Sequence, residues 1–396
     1  ENNVTDGKTF YKNNIVYDTY GRVTSYTKGL TSSGITTSAN IEHAYDTWSG
    51  ALYLVKNKNN AAILWELQTT NAKGQTLTEK LGAANITNTY DANNFLSSIN
   101  HSSTIKPNIL SISYSLNAIK NELNSRTTGG DFNITEYFTY DDNNRLINWT
   151  NPRTGQLSNN TYDAKGRITQ NDQLGTIQYN NAQSIYRPSG VTLNANGIAN
   201  YDNQGTPTST LIQSITYNEN NDPIKIEGEK GDVYFTYGLT NMRQAVGYGG
   251  KLDWIDEGHY TKYYSEDGSY EVVIDNTTGK EKHIMYIGGT PYEANIVYLK
   301  NYTESSGSYK FLHKDYLGSI LAITDEDGNI KEQRHFDAWG NLTHYKVNGV
   351  TKNVNEFNNL SLIDRGYTSH EHFTEVGIIH MNGRLYDPLL RRFLNA

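Results

Sequence analysis

The chain has 396 residues, a formal net charge of -8 and no cysteine. Its length allows two or three ordinary domains or one large repetitive one. The lack of cysteine excludes disulfides, thiolate metal sites and a thiol nucleophile. The acidic balance argues against nucleic acid or an anionic membrane as a partner of the whole chain. No stretch approaches 18 consecutive apolar residues, so we expect no membrane span.

The composition favours an all-β chain of short strands. Hydrophobic residues make up only 36% of the chain, and tyrosine, with 31 copies, outnumbers the 10 phenylalanines and 5 tryptophans. Tyrosine covers apolar surface while its hydroxyl stays in water, which suits thin walls better than thick cores. The 34 glycines and only 7 prolines indicate many tight turns.

One short pattern recurs along the chain. Tyr-Asp is followed by two variable residues, by glycine or asparagine, and then by a polar–apolar alternation. The copies are YDTYGRVTSY (17–26), YDANNFLSSI (90–99), YDDNNRLINW (140–149), YDAKGRITQN (162–171), YDNQGTPTST (201–210) and YNENNDPIKI (217–226). Repetition of this kind predicts an array of similar units, each needing its neighbours to bury a face.

Each unit predicts a β-hairpin. A strand ends on the tyrosine, and the aspartate accepts backbone N–H bonds across the turn. Glycine or asparagine takes the positive-φ position of a two-residue turn. The alternation after it, for example in Arg-Val-Thr, predicts the next strand. By the same reasoning we expect strands on both sides of Gly74, and turns at Asp267-Gly268 and Thr278-Gly279.

These repeats resemble the YD repeats of the Rhs family, which also occur in teneurins and in the C component of Tc toxins. The resemblance is most specific near the C-terminus. HKDYLGSILAITDEDGNIKEQRHFDAWGNL (313–342) is similar to a core motif of the family, with Phe336 where tyrosine is commoner. RGYTSHEHFTEVGIIHMNGRLYDPLLRRFLNA (365–396) is similar to the signature of the Rhs repeat-associated core.

The resemblance implies a fold, a domain division and a role. A YD-repeat β-hairpin array over residues 1–300 would spiral into a hollow shell, and a core domain over 301–396 would close it. The shell would encapsulate a C-terminal toxin, the cargo, and help to deliver it. An upstream shell portion or a delivery-system protein is the other expected partner. We expect a secreted or cell-surface bacterial protein without a cofactor. Its first residues, ENNVTDGKTF, resemble no signal peptide, so we expect a part or mature form of a longer protein.

Many members of the family also cut their own chain just downstream of the core, in an aspartic-protease-like reaction. Such chemistry needs two neighbouring carboxyl groups. The resemblance assigns one to Asp387, with Arg384 orienting the peptide or holding Asp387 ionised, and expects the other in an Asp-Pro after Ala396. We therefore expect this chain to be catalytically incomplete by itself. Alternatively, Asp387-Pro388 simply forms a turn. The family usually has Gly-Arg-Phe where this chain has Arg391, Arg392 and Phe393, which affects the expected cleavage loop.

Three other interpretations are open. The acidic and imidazole side chains of the C-terminal motif could form a metal cluster, but no HExxH helix supports it. These side chains are His370, Glu371, His372, Glu375 and His380. Triad-type side chains occur at His313, Asp315 and Ser319, in a stretch that suits a turn. As an alternative function, the chain is an adhesive or carbohydrate-binding surface protein that uses exposed tyrosine and tryptophan rings.

Overall fold

A computed structural model describes residues 2–186, 188–194, 200–201, 207–208 and 212–394. Over this part of the chain nearly all regular structure is antiparallel β. In the same residues, no helix has the length and apolar character required to cross a membrane. The repeat copy at 201–210 lies mostly outside the described residues.

The strands, numbered in chain order, are β1 Asn2–Thr5, β2 Lys8–Tyr17, β3 Val23–Ser32, β4 Ile35–Tyr45, β5 Leu52–Asn57, β6 Ile63–Thr70, β7 Thr76–Leu81, β8 Ala84–Tyr90, β9 Leu96–Ser102, β10 Leu110–Asn117, β11 Glu122–Thr128, β12 Ile134–Tyr140, β13 Leu146–Thr150, β14 Leu157–Tyr162, β15 Ile168–Asn171, β16 Gly175–Gln178, β17 Gly190–Leu193 and β18 Asn200–Tyr201. They continue as β19 Pro207–Thr208, β20 Ile212–Tyr217, β21 Pro223–Gly228, β22 Asp232–Tyr237, β23 Arg243–Tyr248, β24 Tyr260–Tyr264, β25 Tyr270–Asp275, β26 Lys280–Ile287, β27 Ile296–Lys300, β28 Ser308–Lys314, β29 Ile320–Thr324, β30 Ile330–Phe336, β31 Leu342–Val347, β32 Val350–Thr351, β33 Glu371–Phe373, β34 Ile378–Met381, β35 Arg384–Asp387 and β36 Arg392–Phe393. The short helix α1 covers Phe357–Leu360, and 3-10 turns cover Ile255–Glu257, Val354–Glu356 and Tyr367–Ser369.

The chain divides into two compact units. The first contains Glu1–Ile112, Tyr237–Ala245 and Thr261–Gln333, and the second contains Ser113–Thr236, Val246–Tyr260 and Arg334–Ala396. Each unit therefore combines strands from distant parts of the chain. The predicted boundary at residue 300 stays a prediction.

The first unit has one large hydrophobic core. Its strands β2 to β9 each pair antiparallel with the next along the chain. Phe10, Leu30 and Ile41 from these strands lie in the core. They share it with residues of strands β25 to β28 of the same unit, such as Val272 and Phe311. Alternating side chains enter this core because successive residues of a strand point to opposite faces.

The second unit contains the hairpins from β11 to β17 and a separate four-stranded antiparallel sheet, β33 to β36. Its interior is aromatic. Phe373 on β33 packs edge-on against Phe235, with ring centroids 5.6 Å apart. Tyr345 meets Phe357 of α1 in a similar contact at 5.3 Å. The first contact fixes the small sheet to β22, and the second fixes α1 to β31.

The hairpin predicted from the repeats is confirmed at every copy within the described residues. Strands end on the repeat tyrosine, and the aspartate or asparagine accepts backbone N–H bonds from its own turn. The φ angle is 78° at Gly21 and 58° at Asn144. The turn is longer than predicted, however. Three residues separate Asp18 from Arg22, and these two close the hairpin through a 2.9 Å backbone bond. This is a type I turn followed by a left-handed residue.

The arginine that follows the turn connects successive repeats. Arg145 Nε donates to Asp141 Oδ2 over 2.7 Å within its own turn, while its Nη1 donates to the backbone oxygen of Asp163 in the next turn over 3.0 Å. Its guanidinium also lies 4.7 Å from the ring centroid of Tyr162, the tyrosine of the next repeat. The same three kinds of contact recur around Arg22 and Arg167. One side chain thus joins two neighbouring hairpins by a charge-assisted bond and a cation–π contact.

Candidate functional site

The C-terminal motif forms the four-stranded sheet and the turn that follows β35. Tyr386 of β35 is paired with Phe393 of β36, and Asp387 with Arg392. Residues 388–391 make the connection between the two strands. Both residues expected to take part in self-cleavage therefore lie in one strand next to one turn.

Asp387 is fully buried at the end of β35. Its Oδ1 accepts backbone N–H bonds from Leu389 and Leu390, each over 2.9 Å, and its backbone oxygen accepts the N–H of Arg391 over 2.7 Å. The carboxylate thus stabilises a tight turn, in agreement with the alternative that Asp387-Pro388 simply forms a turn. The same bonds hold the carboxylate in a fixed position.

Arg384 lies at the other end of β35 and is exposed. Its guanidinium stacks on the ring of Phe393, 3.8 Å from the centroid. It lies three positions before Asp387 along the strand, so the two side chains start from opposite faces of the sheet. The structure places both residues on β35 but does not bring their side chains together. The proposed roles of Asp387 and Arg384 stay predictions.

Arg391 is the residue at which this chain departs from the Gly-Arg-Phe pattern, and its backbone shows how arginine is accommodated there. The φ angle of Arg391 is 61°, in the left-handed region that favours glycine. Its guanidinium is buried and lies over Trp149, 4.3 Å from the ring centroid, with Trp339 at 5.6 Å. The two indoles meet edge to face at 5.6 Å. The turn keeps a glycine-like backbone while its side chain enters an aromatic pocket.

Several polar bonds fasten this turn to the hairpin strands β14 and β15. Arg391 Nη2 donates to Asp172 Oδ1 over 2.9 Å, and Nη1 donates to the backbone oxygen of Asn159 over 3.2 Å and to Asn160 Oδ1. The side chain of Asn171 donates to the backbone oxygen of Leu389 over 2.7 Å. The turn after Asp387 is therefore bound to residues more than 200 positions earlier in the chain.

A second buried carboxylate lies next to this turn. Asp337 caps its own turn by accepting the backbone N–H groups of Trp339 and Asn341, each over 2.9 Å. Asn341 Nδ2 donates to Asp337 Oδ2 over 2.9 Å and to the backbone oxygen of Pro388 over 3.3 Å. Burial outweighs these bonds and raises the pKa of Asp337, whereas the repeat aspartates Asp141 and Asp163 have lowered pKa values.

Asp337 lies in the motif at 313–342, but the sequence alone indicates no role for this residue. Burial, strengthened by the charges of Tyr367, Asp337 and Asp387, also raises the pKa of Tyr386 well above its ordinary value. The carboxyl group of Asp337, whose pKa is raised, and the neutral phenol of Tyr386 thus border the Asp387 turn. The signal in the sequence was the placement of Asp337 in FDAWGN, the last Tyr-Asp-like turn before the C-terminal sheet.

The alternative sites have other local explanations. Within the described residues, no group of three or more acidic or imidazole side chains is arranged to hold a metal ion. His370 faces Thr368, His372 accepts the N–H of Tyr367, and His380 packs on Phe235. In the predicted triad stretch, Asp315 caps a turn by accepting the N–H of Ser319, and His313 faces a different histidine.

The fold of this chain is similar to that of solved Tc toxin proteins. The crystal structure of TcdB2-TccC3 without its hypervariable C-terminal region aligns with a TM-score of 0.67 over 98% of this chain and 22% of that one, at 13% identity. The Tc holotoxin pore of Photorhabdus luminescens, carrying a mutation in TccC3, aligns with a TM-score of 0.58 over 98% of this chain and 22% of that one, at 12% identity. This similarity confirms the predicted all-β class with its array of hairpins.

Sequence comparison finds a distant relative in the tRNA3(Ser)-specific nuclease WapA of Bacillus spizizenii. The two share 24% identity over 196 residues, which is 49% of this chain and 8% of WapA. No protein-family model matches the chain. The chain thus spans about a fifth or less of the relatives it resembles. These comparisons show a shared fold and a distant sequence relation, and they leave the family assignment as a resemblance.

Proposed function

We propose that this chain is a shell-forming part of an Rhs-type toxin that encloses a C-terminal toxin. The observation that carries this proposal is the fold similarity to TcdB2-TccC3 over 98% of the chain. The connections between hairpins support it. The arginine contacts between neighbouring turns join one hairpin to the next and so stabilise an extended array along its length.

The cargo is the segment that follows the core in the complete protein. A sheet that packs on one face and stays in water on the other agrees with the low hydrophobic content of 36%. Wrapping such a sheet also protects strand edges that would otherwise pair with other chains. A shell of this kind is secreted or displayed by a bacterium, and the upstream shell portion or a delivery protein completes it. No nucleic acid binds to the shell itself, given its net charge of -8.

Self-cleavage downstream of the core is the second part of the proposal. Asp387, held by the backbone of its own turn, takes a proton from a water molecule whose oxygen attacks the scissile carbonyl carbon. A second carboxyl group, from an Asp-Pro after Ala396, gives its proton to the peptide nitrogen as the C–N bond breaks. One water is consumed, and a new carboxyl and a new amino terminus result. Arg384 orients the peptide.

Mass spectrometry of the complete gene product tests this chemistry. After native size exclusion and denaturation, we expect two fragments that co-elute under native conditions, with the break shortly downstream of Ala396. Asp387→Asn should give one uncut chain, because an amide cannot accept the water proton. Lys165→Gln, at an exposed position of the turn between β14 and β15, is the control and should cleave normally. A single intact wild-type chain would remove the self-cleavage role.

An adhesive surface protein is the second candidate function. Tyr20 and Trp48, at the tips of the β2–β3 and β4–β5 turns, are 83% and 97% exposed. Rings of this kind can contact glycans or another cell surface. A glycan array with the complete protein separates the candidates. Binding that is lost in Trp48→Ala supports adhesion, whereas a blank array with a protected cargo supports the shell.

A further inference from the structure

We infer that Arg391 is the positioning residue of the Asp387 turn, which it anchors to hairpin strands β14 and β15. The inference rests on the proposed self-cleavage for its functional consequence. Arg391 combines an unusual backbone conformation with several side-chain contacts. The backbone takes a conformation that favours glycine, with a φ angle of 61°, yet the residue there is a buried arginine. A side chain at such a position is unfavourable unless its own contacts compensate.

The contacts of Arg391 are of the kind that fix position. The guanidinium reaches three acceptors on one hairpin pair, the backbone oxygen of Asn159 and the side chains of Asn160 and Asp172. A planar fork with several donors sets both distance and orientation, which a single charge does not. The face of the guanidinium lies over Trp149. The fork and the stacked face together allow one placement of the turn.

The anchor also acts directly on the Asp387 turn. The backbone N–H of Arg391 donates to the backbone oxygen of Asp387 over 2.7 Å, so the residue that binds β14 and β15 also closes this turn. Asn171 and Asn341 hold the carbonyls of Leu389 and Pro388 from two sides. Releasing Arg391 therefore frees the centre of the loop, while the neighbouring contacts keep it near its place.

Arg391→Gly is the decisive substitution because it relieves the backbone and removes the anchor together. If the turn needed only a left-handed residue, glycine would work as well as arginine or better. We expect the opposite in the complete gene product. Self-cleavage should slow at least tenfold, and Arg391→Lys should recover part of the rate. Lys165→Gln, which removes an exposed positive charge from the turn between β14 and β15, should cleave as wild type does.

Two further measurements report on the Arg391 anchor and do not depend on self-cleavage. Chymotrypsin should cut at Leu389, Leu390 or Phe393 in Arg391→Gly but not in wild type, and these sites are unchanged by the substitution. The near-UV circular dichroism of the Trp149 and Trp339 pair should weaken. If Arg391→Gly fails to fold, Asp172→Asn combined with Asn160→Ala keeps the arginine and removes its partners. That variant should slow cleavage at least threefold.

Wild-type cleavage, protection and tryptophan signal in Arg391→Gly would overturn the inference. A cleavage defect with an intact tryptophan signal and a protected turn would overturn it as well. If the wild-type product does not cut itself, the proposed self-cleavage fails. The anchor is then judged by protection and the tryptophan signal alone. Exposure of the turn in Arg391→Gly supports the anchor in that case, and protection contradicts it.

Discussion

Removing either partner of the buried ion pair between Lys262 and Glu271 should destabilise the first unit by about 3–5 kcal/mol. Lys262 Nζ and Glu271 Oε2 are 2.8 Å apart, and both side chains are 0% exposed. In Glu271→Gln the ammonium group loses its counter-charge, and in Lys262→Met the carboxylate does. A buried charge without a partner cannot be compensated by water, which gives the large effect.

Denaturant unfolding of the chain measures this effect. Replacing both residues, in Lys262→Met with Glu271→Leu, should restore most of the lost stability because no charge is left buried. Lys56→Gln is the matched control. Lys56 lies 3.4 Å from Glu42 at the surface, with side chains 25% and 41% exposed, and its loss should cost less than about 1 kcal/mol. Equal effects of the two lysine substitutions would contradict the role of burial.

Acidification should destabilise the first unit through a pair of buried histidines. His101 on β9 and His313 on β28 face each other with 2.7 Å between their Nδ1 atoms, and Thr324 Oγ1 lies 2.9 Å from His313 Nε2. Burial lowers the pKa of His101 from 6.5 to about 3. Burial, and then the neighbouring His101, lower the pKa of His313 well below 6.5. In such a bond at least one ring must be neutral, because only a neutral imidazole has a nitrogen that accepts the N–H of the other ring.

The direction of the pH effect on stability follows from the lowered pKa values of the two histidines. Above pH 6.5 both the folded and the unfolded chain carry neutral rings, so this pair causes no pH dependence. As the pH falls from 6.5 towards 3, the unfolded chain binds protons that the folded chain excludes, and stability is lost. At pH 5 the loss for His101 should be about 2 kcal/mol. Unfolding midpoints at pH 7.5 and 5.0 measure it.

The double variant His101→Leu with His313→Leu provides the comparison. It should lose part of its stability at pH 7.5, because Thr324 loses a partner. Its further loss between pH 7.5 and 5.0 should be smaller than that of wild type by at least about 2 kcal/mol. The remaining loss belongs to other groups, including His372, whose pKa burial also lowers to about 3. An equal loss in both proteins would show that the pair does not sense pH.

Local features of the fold were predictable because local chemistry decides them. The repeat tyrosine ends its strand, the aspartate caps the turn, and glycine or asparagine accepts the positive φ angle, as at Gly21 and Asn94. All these interactions join residues within a few positions. The length of the turn was wrong by one residue, because a type I turn with a left-handed third residue has nearly the same sequence preference as the shorter turn.

Contacts between distant residues were not predictable from the sequence alone. Arg391 reaches Asn159, which is 232 positions earlier, and His313 faces His101 across 212 positions. No pattern near these residues indicates their partners, because the arrangement of the strands decides which side chains meet. The arginine that joins successive repeats could have been predicted from the sequence. It occupies the same place after the turn in three copies, at Arg22, Arg145 and Arg167.

Protease protection of the downstream segment tests enclosure most directly. The native complete gene product is treated with a broad-specificity protease, and the surviving fragments are identified by mass spectrometry. The same treatment is repeated after the shell is opened with urea and the urea is diluted. The shell account predicts that the downstream segment survives in the native sample and is digested after opening. Digestion of that segment in the native sample, with residues 1–396 left intact, would contradict enclosure.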